Sequence, residues 1–327
     1  MEKKKLVACD VDGVFAPILK IQGQPGIDSG YFAQFVAGQL AGGRGPKFLA
    51  DAEVIYSIGV QVQVAQANGR SVDLTEKQRN VLDEYAEFLP SLQKLVPGID
   101  YPAVFARLWK ENKPATLKLL ESVGSEYPSM NGADGFIKEF LAQVWLISMT
   151  PRPIISAFGK RFGVPAERIM ATDVSVVDGN ILGLSNGVKS IVQGKRKQEL
   201  LQKLLGDFPG LPIAIGDSSG DWEMLRFSND QGGLAIAFLP NQGLLRKVLS
   251  LENAVVFCEA DFTALSRVVR EFDGRTASIS PSKNICTVEQ CVEKFDELSA
   301  TISKEREKQE QFYGPLGEQL FEKLTGA

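Results

Sequence analysis

The chain has 327 residues, 44% of them apolar, with 36 basic against 40 acidic side chains, a net charge of −4, a pI of about 5.3 and a mean hydropathy of −0.04. That length holds one large or two modest domains. The acidic balance gives no footing for nucleic acid, and no apolar run is long enough to span a membrane. The chain has no histidine, which excludes Ser-His-Asp and Cys-His chemistry, histidine-bound metals and histidine bases together.

Lys3-Lys4-Lys5 reads as a solvated lead-in to the first strand. The apolar run behind it stops at Asp10, too short for a secretory signal, and a cytoplasmic location is expected. Cys9, Cys258, Cys286 and Cys291 show no C-x-x-C spacing, so neither a structural zinc site nor a disulfide framework is expected. Leu6 to Cys9 forms a short buried strand that breaks at Asp10-Val11-Asp12-Gly13, because Asp and Gly are poor strand formers. In an open parallel sheet the carboxyl end of a strand is where ligands bind. A carboxylate there can attack phosphorus, and a second one nearby can give and take a proton.

From Pro17 to Lys47 glycines recur around the apolar stretch Tyr31–Leu40, giving a loop-rich segment with one short helix or a flap over the site. Asp51–Ala65 reads as helix or strand. Asp73-Leu74-Thr75-Glu76 resembles a capping box that opens a helix carrying Val81, Leu82, Tyr85, Phe88, Leu89, Leu92 and Leu95 on one face. Tyr101–Lys110 and Pro114–Val123 are two more short helices. From Asn131 onward the pattern changes to alternation: strands at Val144–Ile147, Arg168–Ala171, Pro212–Ile215, Gly233–Phe238 and Ala254–Phe257, with helices between them. Asp178-Gly179-Asn180 marks a hairpin. Such alternation indicates an α/β fold with a doubly wound, Rossmann-like parallel sheet. The tail carries a capping box at Thr287–Gln290, an apolar stripe through Val288 to Ile302, a polar run Ser303–Gln311 and a second stripe through Leu316 to Leu324. This predicts a helical hairpin docked on the core, or alternatively a homodimer contact.

Three strand ends therefore carry polar groups: Asp10 and Asp12, then Ser148, then Asp217 and Asp221, with Lys195 opening a helix between the last two. In this order DVDGV, LIS, GKRKQELL and GDSSGDWEML resemble the four motifs of the haloacid dehalogenase superfamily, in particular its phosphoserine phosphatase-like branch. The resemblance covers about residues 5–16 and 130–262. It implies a core at 1–16 and 128–279, an inserted, mainly helical C1-type cap at 17–127, and a C-terminal helical extension at 280–327. It further implies Asp10 as nucleophile, Asp12 as general acid/base, Ser148 as a donor to the phosphoryl group and Lys195 as its counter-charge. The implied Mg²⁺ ligands are Asp10, Asp12 through its carbonyl, and Asp217, with Asp221 orienting a metal water or holding the lysine. Lys197 is an alternative to Lys195, Thr150 can supplement or replace Ser148, and Asp221 can be a plain helix cap. Asp12 argues for cleavage of C–O–P bonds, because the dehalogenases and phosphonatases of the superfamily lack an acid there. Val14 stands where the family often has Thr, which removes one possible hydrogen bond to Asp12.

The function implied is Mg²⁺-dependent hydrolysis of a small phosphorylated metabolite. A phosphotransferase or mutase, and a non-catalytic phospholigand-binding protein, are the alternatives. Arg44, Arg70, Arg107 and Lys110 in the cap are candidates for reading a second anionic group.

Overall fold

A computed structural model describes residues 4–21, 28–40, 54, 58, 74–85, 116–188, 190–206, 208–280 and 282–326. The core is a seven-stranded sheet in the order β3-β2-β1-β6-β7-β8-β9. Its strands are β1 (Lys5–Cys9), β2 (Val144–Pro151), β3 (Ile169–Thr172), β6 (Leu211–Gly216), β7 (Leu234–Phe238), β8 (Ala254–Phe257) and β9 (Ile285–Thr287). All neighbours pair in parallel except β8 and β9. The chain steps outward from β1 through β2 to β3, then returns to the other side of β1 at β6. The reversal opens a crevice at the carboxyl ends of β1 and β6, the place where such sheets bind ligands. Cys9 stands opposite both Leu146 and Ile215, so β1 and β6 end nearly level while β2 runs on to Pro151.

Side-chain alternation along β1 divides the core in two. Val7 and Cys9 join one apolar cluster and Leu6 and Ala8 the other, as a strand covered on both faces requires. The helices covering these faces are α1 (Ser29–Leu40), α3 (Leu117–Glu126), α4 (Ala133–Glu139), α5 (Arg152–Lys160), α6 (Lys195–Leu205), α7 (Trp222–Asp230), α8 (Gln242–Val248) and α9 (Phe262–Glu271), with α2 (Glu76–Tyr85) lying between α1 and α3 in sequence. A separate hairpin pairs β4 (Val174–Val177) with β5 (Asn180–Val188). Asp178 and Gly179 both take positive φ, 49° and 78°, the backbone of a two-residue turn that matches strand twist.

Several expectations need correction. The cap of α2 is Thr75, not Asp73: the Gln78 N–H donates to Thr75 Oγ1 and the Thr75 N–H donates to Gln78 Oε1. Helices α1 and α3 lie in the stretch assigned to the cap, yet Phe32, Val36, Leu120 and Val123 are buried in the same cluster as β1. The helix-or-strand stretch 51–65 (apart from 54 and 58), residues 86–95, the helix at 101–110, and Arg44, Arg70, Arg107 and Lys110 lie outside the described residues.

The tail is not a hairpin of two similar helices. A short α10 (Val288–Glu293) is followed by one long α11 (Phe295–Thr325). Leu298 and Ile302 of α11 pack in one core cluster, and Tyr313, Leu320 and Phe321 in the other. The helix therefore passes from one face of the sheet to the other around the strand ends. Full burial of such a side chain is worth about 1.5–3 kcal/mol, so both ends of α11 are firmly held and its two apolar stripes are used within the chain. Strand β9, unforeseen because it has only three residues, also brings Cys286 to Cys258, with their Sγ atoms 3.8 Å apart.

Candidate active site

Asp10 leaves β1 with its backbone still in the ladder, its N–H donating to Ile215 O at 2.9 Å. The chain then turns tightly, and the N–H groups of Phe15 and Ala16 both donate to Val11 O. Gly13 sits in this turn at φ 78°, and a Cβ there would lie 2.3 Å from Asp217 Oδ2. Only glycine permits both the left-handed backbone and that approach. Asp10 is buried. Its Oδ1 accepts the Val11 N–H at 2.7 Å, and its Oδ2 stands 2.7 Å from Lys197 Nζ.

The Asp12 carboxylate turns to the other side of the loop. Its Oδ1 accepts the N–H of Ser29, the first residue of α1, at 2.9 Å, and its Oδ2 accepts the Thr150 hydroxyl at 2.8 Å. Negative charge at a helix N-terminus is favoured by the exposed N–H groups and the helix dipole. Ser148 is buried, and its Oγ accepts the Thr150 N–H at 3.1 Å. Since Leu146 pairs with Cys9, Ser148 falls level with Val11. Ser148 and Thr150 thus stand together on the β2 side of the acidic loop.

The lysine that reaches Asp10 is Lys197, not Lys195. Lys195 begins α6 and is exposed, whereas Lys197 is 2% exposed. At about 100° per residue, positions two apart face nearly opposite ways. Lys197 lies on the same face as Leu201, the other buried residue of α6. Its ammonium group stands 2.7 Å from Asp10 Oδ2 and 2.6 Å from Asp221 Oδ1. Burial opposes its charge, but the two carboxylates outweigh burial and raise its pKa.

Asp217 and Asp221 follow β6. Asp221 is fully buried, with Oδ2 accepting from the Asp217 and Ser218 N–H groups and the Ser218 hydroxyl. It is the far member of a capping box whose N-cap is Ser218, its side chain makes no cap hydrogen bond to α7, and the same carboxylate holds the lysine. Asp217 is pushed up to about 7 by burial, with Arg306 opposing and Asp221 adding to the rise. Asp10 is held well above the ordinary carboxylate range, first by burial and then by Asp221, against Lys197. The carboxylates therefore exceed the positive charge in contact with them.

Arg306, from the middle of α11, completes the described surroundings. Its Nη2 lies 2.9 Å from Asp217 Oδ2. Sequence reasoning missed it, since a single Arg in the polar run Ser303–Gln311 carries no motif. The usable signal was the position of that run between two apolar stripes, which a helix crossing a polar crevice requires.

The donor set fits a hard cation. Asp10, Asp217 and Asp221 each bring a carboxylate oxygen within 4.8 Å of the others, and all three are buried. Oxygen-only sites with carboxylates suit Mg²⁺, and a divalent cation would relieve the excess negative charge. Asp221 is fully buried and its Oδ2 alone accepts three hydrogen bonds, whereas Asp10 and Asp217 keep slight exposure, which leaves those two as the better direct ligands. The Asp12 carboxylate is not among the three.

Comparisons with known proteins agree with this geometry. The haloacid dehalogenase-like hydrolase family matches residues 79–226, a span that includes Ser148, Lys197, Asp217 and Asp221. The structure is similar to gene product AF1437 from Archaeoglobus fulgidus, at 15% identity and a TM-score of 0.57, over 97% of this chain and 99% of that one. A phosphoserine phosphohydrolase-like protein from Francisella tularensis aligns at 18% identity and a TM-score of 0.45, over 72% of this chain and 87% of that one. A probable phosphoserine phosphatase from Vibrio cholerae aligns at 13% and 0.44, over 77% and 60%. No curated protein sequence matches the chain. The haloacid dehalogenase-like hydrolase match thus falls on the stretch that brings Ser148, Lys197, Asp217 and Asp221 to the doubly wound sheet.

Proposed function

We propose that the protein is a Mg²⁺-dependent phosphatase that cleaves a small phosphorylated metabolite through an aspartyl-phosphate on Asp10. The observation that carries this reading is Lys197, buried between Asp10 and Asp221 at the switch point of the sheet. A lysine held against a carboxylate nucleophile gives an incoming phosphoryl group a positive partner without being consumed. The haloacid dehalogenase-like hydrolase match over residues 79–226 supports a hydrolytic reaction.

In the first half-reaction an Asp10 oxygen bonds to phosphorus, the P–O bond to the leaving group breaks, and Asp12 supplies the proton that the departing alkoxide takes. In the second, water gives a proton to Asp12 and attacks phosphorus. The Asp10–phosphorus bond breaks, releasing orthophosphate and the Asp10 carboxylate. Thr150 holds Asp12, which positions one acid/base for both halves. Ser148, whose hydroxyl accepts from the Thr150 N–H, would donate its own proton to a phosphoryl oxygen. Asp10, the Asp12 carbonyl and Asp217 would hold Mg²⁺, which supplies charge neutralisation for the approach of two anions.

The test is phosphate release from a panel of small phosphomonoesters, with and without Mg²⁺, by the wild type and Asp10→Asn. Release that requires both Mg²⁺ and Asp10 supports the reading. Release that persists in Asp10→Asn overturns it.

A further inference from the structure

Helix α11 is held on both sides of Arg306. Upstream, Leu298 and Ile302 are buried in one core cluster. Downstream, the Tyr313 hydroxyl accepts the Asn131 N–H at 2.7 Å, and Glu310 pairs with Lys20 at 2.9 Å. Gly317 lies against the Lys20 backbone so closely that a Cβ there would fall 2.1 Å from the Lys20 carbonyl oxygen. A guanidinium on a helix anchored this way is a built part of the crevice wall. It is not a surface side chain that happens to reach inward.

Its place presents an electrostatic problem. Arg306 sits on Asp217, one of the two carboxylates best able to bind a cation directly. A positive charge there weakens cation binding. It also counters the other difficulty of the site, which is to admit an anion among Asp10, Asp12, Asp217 and Asp221. Lys197 is already committed to Asp10 and Asp221. Among the described residues the recorded partner of Arg306 is Asp217 alone, through one Nη, and a guanidinium carries five N–H groups in a planar fork suited to phosphate oxygens. Arg306 is also a third exposed.

We propose that Arg306 is an anion-binding residue supplied by the C-terminal helix. It keeps one N–H on Asp217 and turns the rest of its fork to the substrate's phosphate. This rests on the phosphatase reading. It assigns α11 a role in substrate binding and places the second positive group of the site outside the four motifs.

The experiment measures the affinity of inorganic phosphate at saturating Mg²⁺, and of Mg²⁺ without phosphate, by calorimetry, for the wild type, Arg306→Gln and Arg306→Lys. Losing charged hydrogen bonds should weaken phosphate binding about tenfold or more in Arg306→Gln. In the same variant Mg²⁺ binding should tighten by about threefold or more, because the neighbouring positive charge is gone. Arg306→Lys should keep Mg²⁺ affinity near the wild type but regain only part of the phosphate affinity, since lysine lacks the fork. A merely structural pin would lower thermal stability and move neither affinity. Unchanged phosphate affinity in Arg306→Gln overturns the proposal. If that variant does not fold, Arg306→Lys with wild-type phosphate affinity does so. Failure of the phosphatase reading shows separately, as wild-type protein whose ester hydrolysis survives Asp10→Asn.

Discussion

Replacing Lys197 by Met keeps most of the stem volume and removes the charge that separates Asp10 from Asp221. Both carboxylates stay buried, at 8% and 0% exposure, and both lose a contact of 2.7 or 2.6 Å. Removing one partner from a buried ionic cluster costs about 3–5 kcal/mol, mostly because the remaining charge is left without compensation. At a urea dependence of about 3 kcal/mol per molar, the unfolding midpoint near pH 8 should drop by about 1–1.7 M. The loss should shrink with acidification. Without Lys197 the Asp10 carboxyl, already held above its unfolded range by burial and by Asp221, rises further. The folded variant then binds more protons than the unfolded chain, and its stability recovers as pH falls through the folded value. Lys195→Met is the control; as a surface change it should stay within about 0.5 kcal/mol. Urea unfolding followed by tryptophan fluorescence at pH 8 and pH 5, without Mg²⁺, reads all of this. A Lys197→Met midpoint equal to the wild type, or a large loss in Lys195→Met, would refute the assignment of the lysine.

Gly13→Ala combines a positive φ with a Cβ 2.3 Å from Asp217 Oδ2. It should cost about 1–3 kcal/mol in backbone strain and displace Asp217, so that Mg²⁺ affinity measured by calorimetry falls with stability. Gly317→Ala forces α11 off the Lys20 backbone, so phosphate affinity should weaken together with thermal stability even though the substitution is remote from the carboxylates. The metal-free protein should be less stable at pH 7 than at pH 5 relative to Asp217→Asn. With Asp217 raised to about 7, the folded state binds more protons than the unfolded one between about pH 4 and 7, and stability falls as pH rises by up to about 1.4 kcal/mol per unit. Saturating Mg²⁺ should flatten that slope; a metal-free slope of opposite sign would refute it.

Much of the fold was legible because its signals are local. Short apolar runs ending at Asp10, Ser148 and Asp217 marked the buried parallel strands, and Asp178-Gly179 marked the hairpin. The motif order put those strand ends in one crevice. Legibility failed where facing or distance decided the outcome. Lys195 and Lys197 are equivalent as residue types, and only the helical period shared by Lys197 and Leu201 shows which one points inward. The cap of α2 moved to Thr75 because Thr75 and Gln78 satisfy each other's backbone groups, an equally good pattern two residues on. The role of α11 depended on a contact between Asp217 and a residue 89 positions away, which no local pattern encodes.

The order of synthesis gives this arrangement a further meaning. Strand β1 is made early, but its partners β2 and β6 begin at Val144 and Leu211. Asp10 therefore emerges long before the strands that bury it. Arg306 emerges after every other residue described here in the crevice. A nascent chain can thus complete the sheet, close Lys197 onto Asp10 and Asp221, and still lack the helix that joins the two faces. Such long-range closure is slow relative to local helix formation. On the proposed role of Arg306, a chain that has not yet docked α11 is a folded domain with a weakened grip on phosphate, so full substrate binding arrives only when synthesis has passed the last wall of the site.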